Sequence, residues 1–206
     1  MLNIFKRKIQ LVFLHNFIIK LLYKYLHVKI IITKLIIILS IQYMFSQEVI
    51  KFDSSEKIEK WSIVNDNVMG GVSTSKFYYD GNHAIFEGKI SLKNNGGFAS
   101  IRSDIKRILV SPKKKINLSL KGDGKVYQVR VKRNKFDNFS YVQNFKTNGK
   151  NEIISIELNK FYPSFRGIKL NKENFNYNQI EQISILIGNK QEEEFKLKIE
   201  KIFFNE

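Results

Sequence analysis

The chain has no cysteine. That removes disulfides, thiolate nucleophiles and cysteine-based metal sites together, and it leaves redox chemistry silent about the compartment. Histidine is nearly as scarce. His15 and His27 fall within the first 46 residues, so His83 stands alone in the remainder. A serine–histidine–carboxylate arrangement or a histidine metal centre needs companions that are missing. No phosphate-binding glycine loop and no dinucleotide fingerprint occurs. Acidic residues are absent from the first 46 positions, which carry seven basic ones (Lys6, Arg7, Lys8, Lys20, Lys24, Lys29 and Lys34). The formal net charge of +16 therefore falls to an excess of nine for the rest. That excess is mainly lysine and is not gathered with stacking aromatics, so the sequence predicts a solvated basic surface and no nucleic-acid partner.

Hydrophobic residues make up 43% of the chain and aromatics 13%, enough apolar surface to offset the ordering entropy of a folded domain. Residues 1–46 read as a leader. Leu35 to Ile41 is an uncharged apolar run behind Lys29 and Lys34, and a small residue, Ser46, follows at a plausible cleavage point. The run is shorter than the about 20 apolar residues that span a bilayer. A cleaved signal peptide is expected, with export to the periplasm or cell envelope. A membrane-anchoring N-terminal segment is the alternative, and membrane contact is expected through this leader only. The apolar stretch Ile9 to Leu26 makes the leader long, and an alternative start at Val28 would shorten it.

From residue 47 onward apolar residues recur at period two, punctuated by turn residues, which predicts one all-β domain over 47–206. Lys76 to Tyr79 and Ala84 to Phe86 flank Asp80-Gly81-Asn82, a hairpin signal. Ile116, Leu118 and Leu120 alternate up to Gly122-Asp123-Gly124, after which Tyr127, Val129 and Val131 alternate with Gln128, Arg130 and Lys132. Asn148-Gly149 predicts a second hairpin joining Tyr141–Phe145 to Ile153–Leu158. Ile183–Ile187 and Phe195–Ile199 close the chain. Nine or ten short strands at this spacing predict a jelly-roll β-sandwich behind an N-terminal apolar leader helix.

Four clusters place glycine, arginine and carboxylate where a plain strand has no use for them. They are Asn65-Asp66-Asn67-Val68-Met69-Gly70-Gly71-Val72-Ser73, Asn95-Gly96-Gly97-Phe98-Ala99-Ser100-Ile101-Arg102-Ser103, Lys121-Gly122-Asp123-Gly124-Lys125-Val126-Tyr127, and Phe161-Tyr162-Pro163-Ser164-Phe165-Arg166-Gly167. With Trp61 ahead of the first and Phe195 to Ile202 at the end, this order resembles the complex I intermediate-associated protein 30 family. The resemblance implies a galactose-binding-like sandwich akin to carbohydrate-binding modules. It also implies a chaperone-like assembly role of the kind mitochondrial members play for respiratory complex I. The sequence departs from that pattern in its export-type leader, and in Asn151-Glu152-Ile153 where a tryptophan is expected.

Each cluster has two readings. Asp66 and Ser73 either contact a ligand or partner or cap a turn, with Gly70 and Gly71 freeing the backbone and Met69 offering an adaptable apolar contact. Arg102 either grips a partner or pairs with Asp66 or Asp123, and Arg166 has the same ambiguity. Pro163 is expected at a rigid corner and not in a ladder. Asp123 reads as a tight turn, since one carboxylate is far short of a calcium site. Tyr127 and Trp61 are either a sugar-stacking platform or core. Asp66 and Asp123 could in principle do glycosidic acid and base work, a remote option since both sit in turns and no recognisable motif spaces them. The expectation is a non-enzymatic domain with no metal and no cofactor that holds a protein partner, or in the alternative a glycan, through the loops around Asp66–Ser73, Gly96–Arg102 and Arg166.

Overall fold

The computed structural model describes residues 19–38 and 49–205. Residues around the expected cleavage point, Ser46, and the end of the apolar run at Leu39–Ile41 lie outside the described residues. The chain divides into two units, Met1–Ser46 and Gln47–Glu206. In the first, a helix, α1, runs over residues 19–38. Among the described residues no helix is long and apolar enough to cross a membrane.

The second unit is the expected β-sandwich, with thirteen described strands instead of nine or ten. They run β1 Val49–Lys51, β2 Ser62–Asn65, β3 Thr74–Tyr79, β4 Ala84–Ile90, β5 Ala99–Leu109, β6 Lys115–Lys121, β7 Val126–Lys132, β8 Ser140–Lys146, β9 Asn151–Glu157, β10 Tyr162–Phe165, β11 Ile168–Lys169, β12 Gln179–Ile187 and β13 Glu193–Asn205. A short helix, α2, at Ser55–Glu59 sits between β1 and β2. One sheet has six strands in the order β3-β4-β13-β6-β9, with β1 also pairing β13. The other has seven, in the order β11-β10-β8-β7-β12-β5-β2.

Alternation decides which side chains enter the space between the sheets. In β7, Tyr127, Val129 and Val131 are buried while Gln128, Arg130 and Lys132 face away. Ile183, Ile185 and Ile187 of β12 and Leu197 and Ile199 of β13 join them in the core. A file of rings crosses it: Trp61 lies 5.3 Å from Phe52, Phe86 lies 4.8 Å from Phe195, and Tyr127 stacks on Phe145 at 5.8 Å. Trp61 and Tyr127 are therefore core residues and no stacking platform for a sugar.

Two expectations about connections are corrected. Asn148-Gly149 does turn the chain, with Gly149 at φ +81°, but β8 pairs with β7 and β10 while β9 pairs with β6. The turn is a crossing between sheets and not a hairpin, because Phe145 must point inward onto Tyr127 while β9 continues along the opposite layer. Pro163 occupies a ladder position opposite Tyr141 and accepts Leu170 N–H at 2.9 Å through its carbonyl. β10 tolerates it because a proline still offers an acceptor.

Arg166 and Gly167 form the two-residue loop of the β10–β11 hairpin, with φ of +50° and +80°. Positive φ at both positions is what a type I′ turn demands, and arginine pays for it in sterics where asparagine or glycine would not. Arg166→Asn should raise stability by about 0.5–1 kcal/mol, roughly 2 °C in Tm for a domain of this size. A thermal scan showing a lower Tm would mean that the guanidinium's contact with the Phe165 ring, 5.4 Å away, outweighs the backbone strain.

Candidate functional site

The first motif folds around one carboxylate. Asp66 opens a 3-10 turn, Asp66–Met69, where the chain leaves β2 in one sheet for β3 in the other. Its side chain is fully buried. Oδ1 accepts Ser73 N–H at 3.0 Å, and Oδ2 accepts the Ser73 hydroxyl at 2.5 Å and the N–H groups of Gly97 at 2.6 Å and Phe98 at 3.3 Å. Ser73 Oγ in turn accepts Ser91 N–H at 3.0 Å. Asn94 Nδ2 donates to the Gly70 carbonyl at 3.1 Å. The loop 66–73 is thus tied to the loop 91–98, which carries the chain back from β4 to β5. Burial pushes the Asp66 carboxyl up, but the Ser73 hydroxyl and the N–H groups of Gly97, Ser73 and Phe98 outweigh it and hold the group below its ordinary value.

The glycines follow from that carboxylate. Gly70 ends the turn in the left-handed region at φ +92°. Gly71 is required for space, since a Cβ there would stand 2.4 Å from Asp66 Cγ. What the clamp leaves outside is apolar: Val68 is 67% exposed and Met69 55%, with Val72 and Leu92 exposed beside them in sequence on the same two tied loops.

Asp123 does similar work at another crossing, between β6 and β7. Oδ1 accepts Tyr127 Oη–H at 3.1 Å and Lys125 N–H at 3.2 Å, and Oδ2 accepts Lys196 N–H at 2.9 Å. Lys196 lies in register just past the last β6 partner of β13, so the carboxylate substitutes for a missing ladder carbonyl. Burial and then the Asp123 charge push the Tyr127 phenol up. Among the described residues no group of three or more metal-ligating side chains is gathered.

The outer face of the seven-stranded sheet holds the third feature. Register aligns Ser62, Arg102, Ser184, Arg130, Val142 and Tyr162 in one row across β2, β5, β12, β7, β8 and β10. Arg130 is half-buried, and its Nε and Nη2 donate to Gln128 Oε1 at 3.1 and 2.7 Å. Burial lowers the guanidinium below its usual value. Among the described residues no carboxylate pairs with it, which is uncommon for a half-buried cation.

The nine residues singled out from sequence are not brought to one place. Asp66, Met69, Gly70, Gly71 and Ser73 sit together on the first crossing, and Arg102 lies on the outer sheet face. Asp123 and Tyr127 lie at the second crossing. Arg166 is at the far edge of the sheet, where β5 and β10 are four strand spacings apart, roughly 19 Å at about 4.8 Å each. Arg102 pairs with neither Asp66 nor Asp123, whose oxygens are engaged as above. Sequence reasoning passed over Arg130, Lys132 and Tyr162, although the strict alternation of Tyr127 to Lys132 already set Arg130 and Lys132 opposite the core.

Two packed antiparallel sheets define the class, a β-sandwich. Solved structures of similar fold include the family 11 carbohydrate-binding module of cellulosomal cellulase Lic26A-Cel5E of Clostridium thermocellum (TM-score 0.56, 13% identity, covering 76% of this chain and 94% of that one). The family 11 module from Clostridium thermocellum in complex with a β-1,3-1,4-mixed-linked tetrasaccharide is similar at TM-score 0.54 and 13% identity, covering 75% and 94%. At these identities the likeness is one of fold. No curated protein matches in sequence. The profile of the family described as Complex I intermediate-associated protein 30 (CIA30) matches residues 50–199, and the chain belongs to that family.

The clamp generates three predictions. Asp66→Asn keeps the shape but sets an amide donor against backbone donors, at a cost of roughly 2–3 kcal/mol, read by denaturant unfolding. The native Asp66 gives up its proton more readily than the unfolded chain does. Its stabilisation is therefore full above the ordinary value of 3.8 and is lost as pH falls through the lower folded value. As pH falls below 3.8 the native chain should lose stability more steeply than the Asn variant. Equal slopes would show that Asp66 is not the group being protonated. Gly71→Ala should cost at least ~1 kcal/mol, because the added methyl meets the carboxylate and not solvent.

Proposed function

We propose that this chain is a non-enzymatic binding domain that holds a protein partner, an assembly intermediate of the kind the family's description names, through the apolar loops fixed by Asp66. The observation that carries the reading is the pairing of a fully buried acceptor, hydrogen-bonded from both loops, with Val68 and Met69 held out in water. Exposed apolar residues on a stiff scaffold lose little entropy on docking, and methionine adapts to an irregular partner surface.

A second reading, an exported carbohydrate-binding module of the cell envelope, is favoured by the outer face of the seven-stranded sheet. Its guanidinium and amide groups at Arg130 and Gln128 and the ring of Tyr162 are the types that engage sugar hydroxyls and faces. The leader, cleaved after Ser46, suits this second reading. A mature N-terminus read by sequencing at Gln47 would support export, and one at Met1 would end it.

A photo-crosslinking residue at position 69, introduced in cells, should yield a crosslink to a subunit of a respiratory complex I intermediate. Met69→Asp should reduce co-purification of that intermediate by about tenfold or more while leaving Tm near native. Undiminished co-purification would remove these loops from the interface. Saturable binding on a glycan array that survives Met69→Asp, with no crosslink, would establish the second reading in its place.

A further inference from the structure

At the β2 end of the seven-stranded sheet's outer face lies a depression of about 350 Å³. Its walls come from three separate places in the chain: Lys60 at the end of α2, Arg102 on β5, and Lys132 with Lys135 at and just after the end of β7. The one carboxylate of the lining, Asp104, is already engaged, since its Oδ1 accepts Gln182 Nε2 at 2.7 Å. Four cations against one carboxylate leave an excess of three positive charges around a single concavity.

Two of these cations have no partner in the fold. Among the described residues neither the Arg102 guanidinium nor the Lys60 ammonium makes a hydrogen bond or an ion pair. Burial first, and then the charge of Arg102, push Lys132 below its usual value against the opposing pull of Asp137 and Asp104. Register keeps them close: Gln182 pairs with Lys132 on one side and Asp104 on the other, and Arg102 is opposite Ser184 one row along. The rim is fixed as well. The turn after β7 is braced by the Arg133–Asp137 ion pair at 3.1 Å and by Asn134 Oδ1 accepting Phe136 N–H at 2.9 Å. That turn holds the Phe136 ring 81% exposed at the mouth of the depression.

We infer that this depression is a binding site for a dianionic oxyanion, the phosphate or sulfate group of a small ligand, held by Arg102, Lys132, Lys60 and Lys135. A guanidinium fork and several ammonium groups suit a tetrahedral anion with oxygens in several directions. A singly charged carboxylate would leave most of the excess unpaired. The exposed Phe136 ring adds a flat apolar surface against which a sugar ring esterified to the anion would rest. The site is independent of the apolar loops of the first crossing, so its failure would leave the protein-holding function untouched.

Isothermal titration of the full chain at low ionic strength, with inorganic phosphate, inorganic sulfate, glucose 6-phosphate and acetate as probes, tests it. Saturable binding of phosphate or sulfate is expected, with acetate at least about tenfold weaker. Arg102→Gln and Lys132→Gln should each weaken phosphate about fivefold to tenfold, whereas Lys89→Gln and Lys201→Gln on the other sheet should leave it within about twofold. Arg102→Lys keeps the charge and should retain most of the affinity. A gain for glucose 6-phosphate that Phe136→Ala abolishes would mark a phosphate ester as the ligand, and equal affinities would mark the free anion. Binding that does not saturate, that acetate matches, or that Lys89→Gln weakens as much as Arg102→Gln would overturn the site.

Discussion

A sandwich satisfies its backbone within each sheet, and its difficulty lies where the chain passes from one sheet to the other. There the N–H groups lose their ladder partners while remaining out of water, and each one left bare costs free energy comparable to a lost hydrogen bond. An ionised carboxylate accepts without donating and has room for several donors, so one side chain can serve a whole crossing. Asp66 does this for the β2–β3 and β4–β5 connections together. Asp123 does it for the β6–β7 corner and the overhanging end of β13. Register sets both crossings at the same end of the sandwich, since the start of β13 pairs with the end of β4 and with the end of β6.

That arrangement inverts the obvious reading of the motifs. The residues that look most like chemistry, Asp66, Ser73 and Asp123, are consumed internally, and their hydrogen-bonding capacity faces the protein. The exposed groups are the ones that look like filler: Val68 and Met69 between the acid and the glycines, and the outward members of β5 and β7. A partner would thus meet what the clamps display and not the clamps. Substitutions in the motif should act on binding through stability, whereas substitutions at Met69 or Arg102 should act on it directly.

The layer architecture was legible because alternation is local. Tyr127, Val129 and Val131 can face only one way once Gln128, Arg130 and Lys132 face the other. Family membership was legible for a related reason, since three of the four clusters are crossings between the sheets and the fourth ends in the β10–β11 turn. Pairing was less so. Asn148-Gly149 promises a turn, but whether the next strand returns along its neighbour or climbs to the other sheet depends on the inward packing of Phe145, a contact with Tyr127 that no short window contains. Arg166 misled because its neighbour Gly167 suggests a binding loop, when the pair simply satisfies a type I′ turn. The cationic depression was invisible for the same reason as the pairing: Lys60, Arg102 and Lys132 are joined only by strand register.

The fold itself does not ask for cations at those places. An outward position on β5 or β7 is met equally well by threonine, glutamine or serine, which would cost no charge repulsion, and neighbouring positions on the same face carry such residues at Ser100, Gln128 and Ser184. Some surface cations elsewhere on the domain are matched, as Lys196 is by Glu87 at 2.6 Å and Arg107 by Glu181 at 3.2 Å. Arg102 and Lys132 repel each other, Lys60 lines the same depression, and the one acid of that lining is held by an amide. Like charges gathered into a concavity lower stability in the empty protein, and that penalty disappears when an anion fills it. A cost carried by side chains that the architecture leaves free to vary is better explained by what they bind than by what they support.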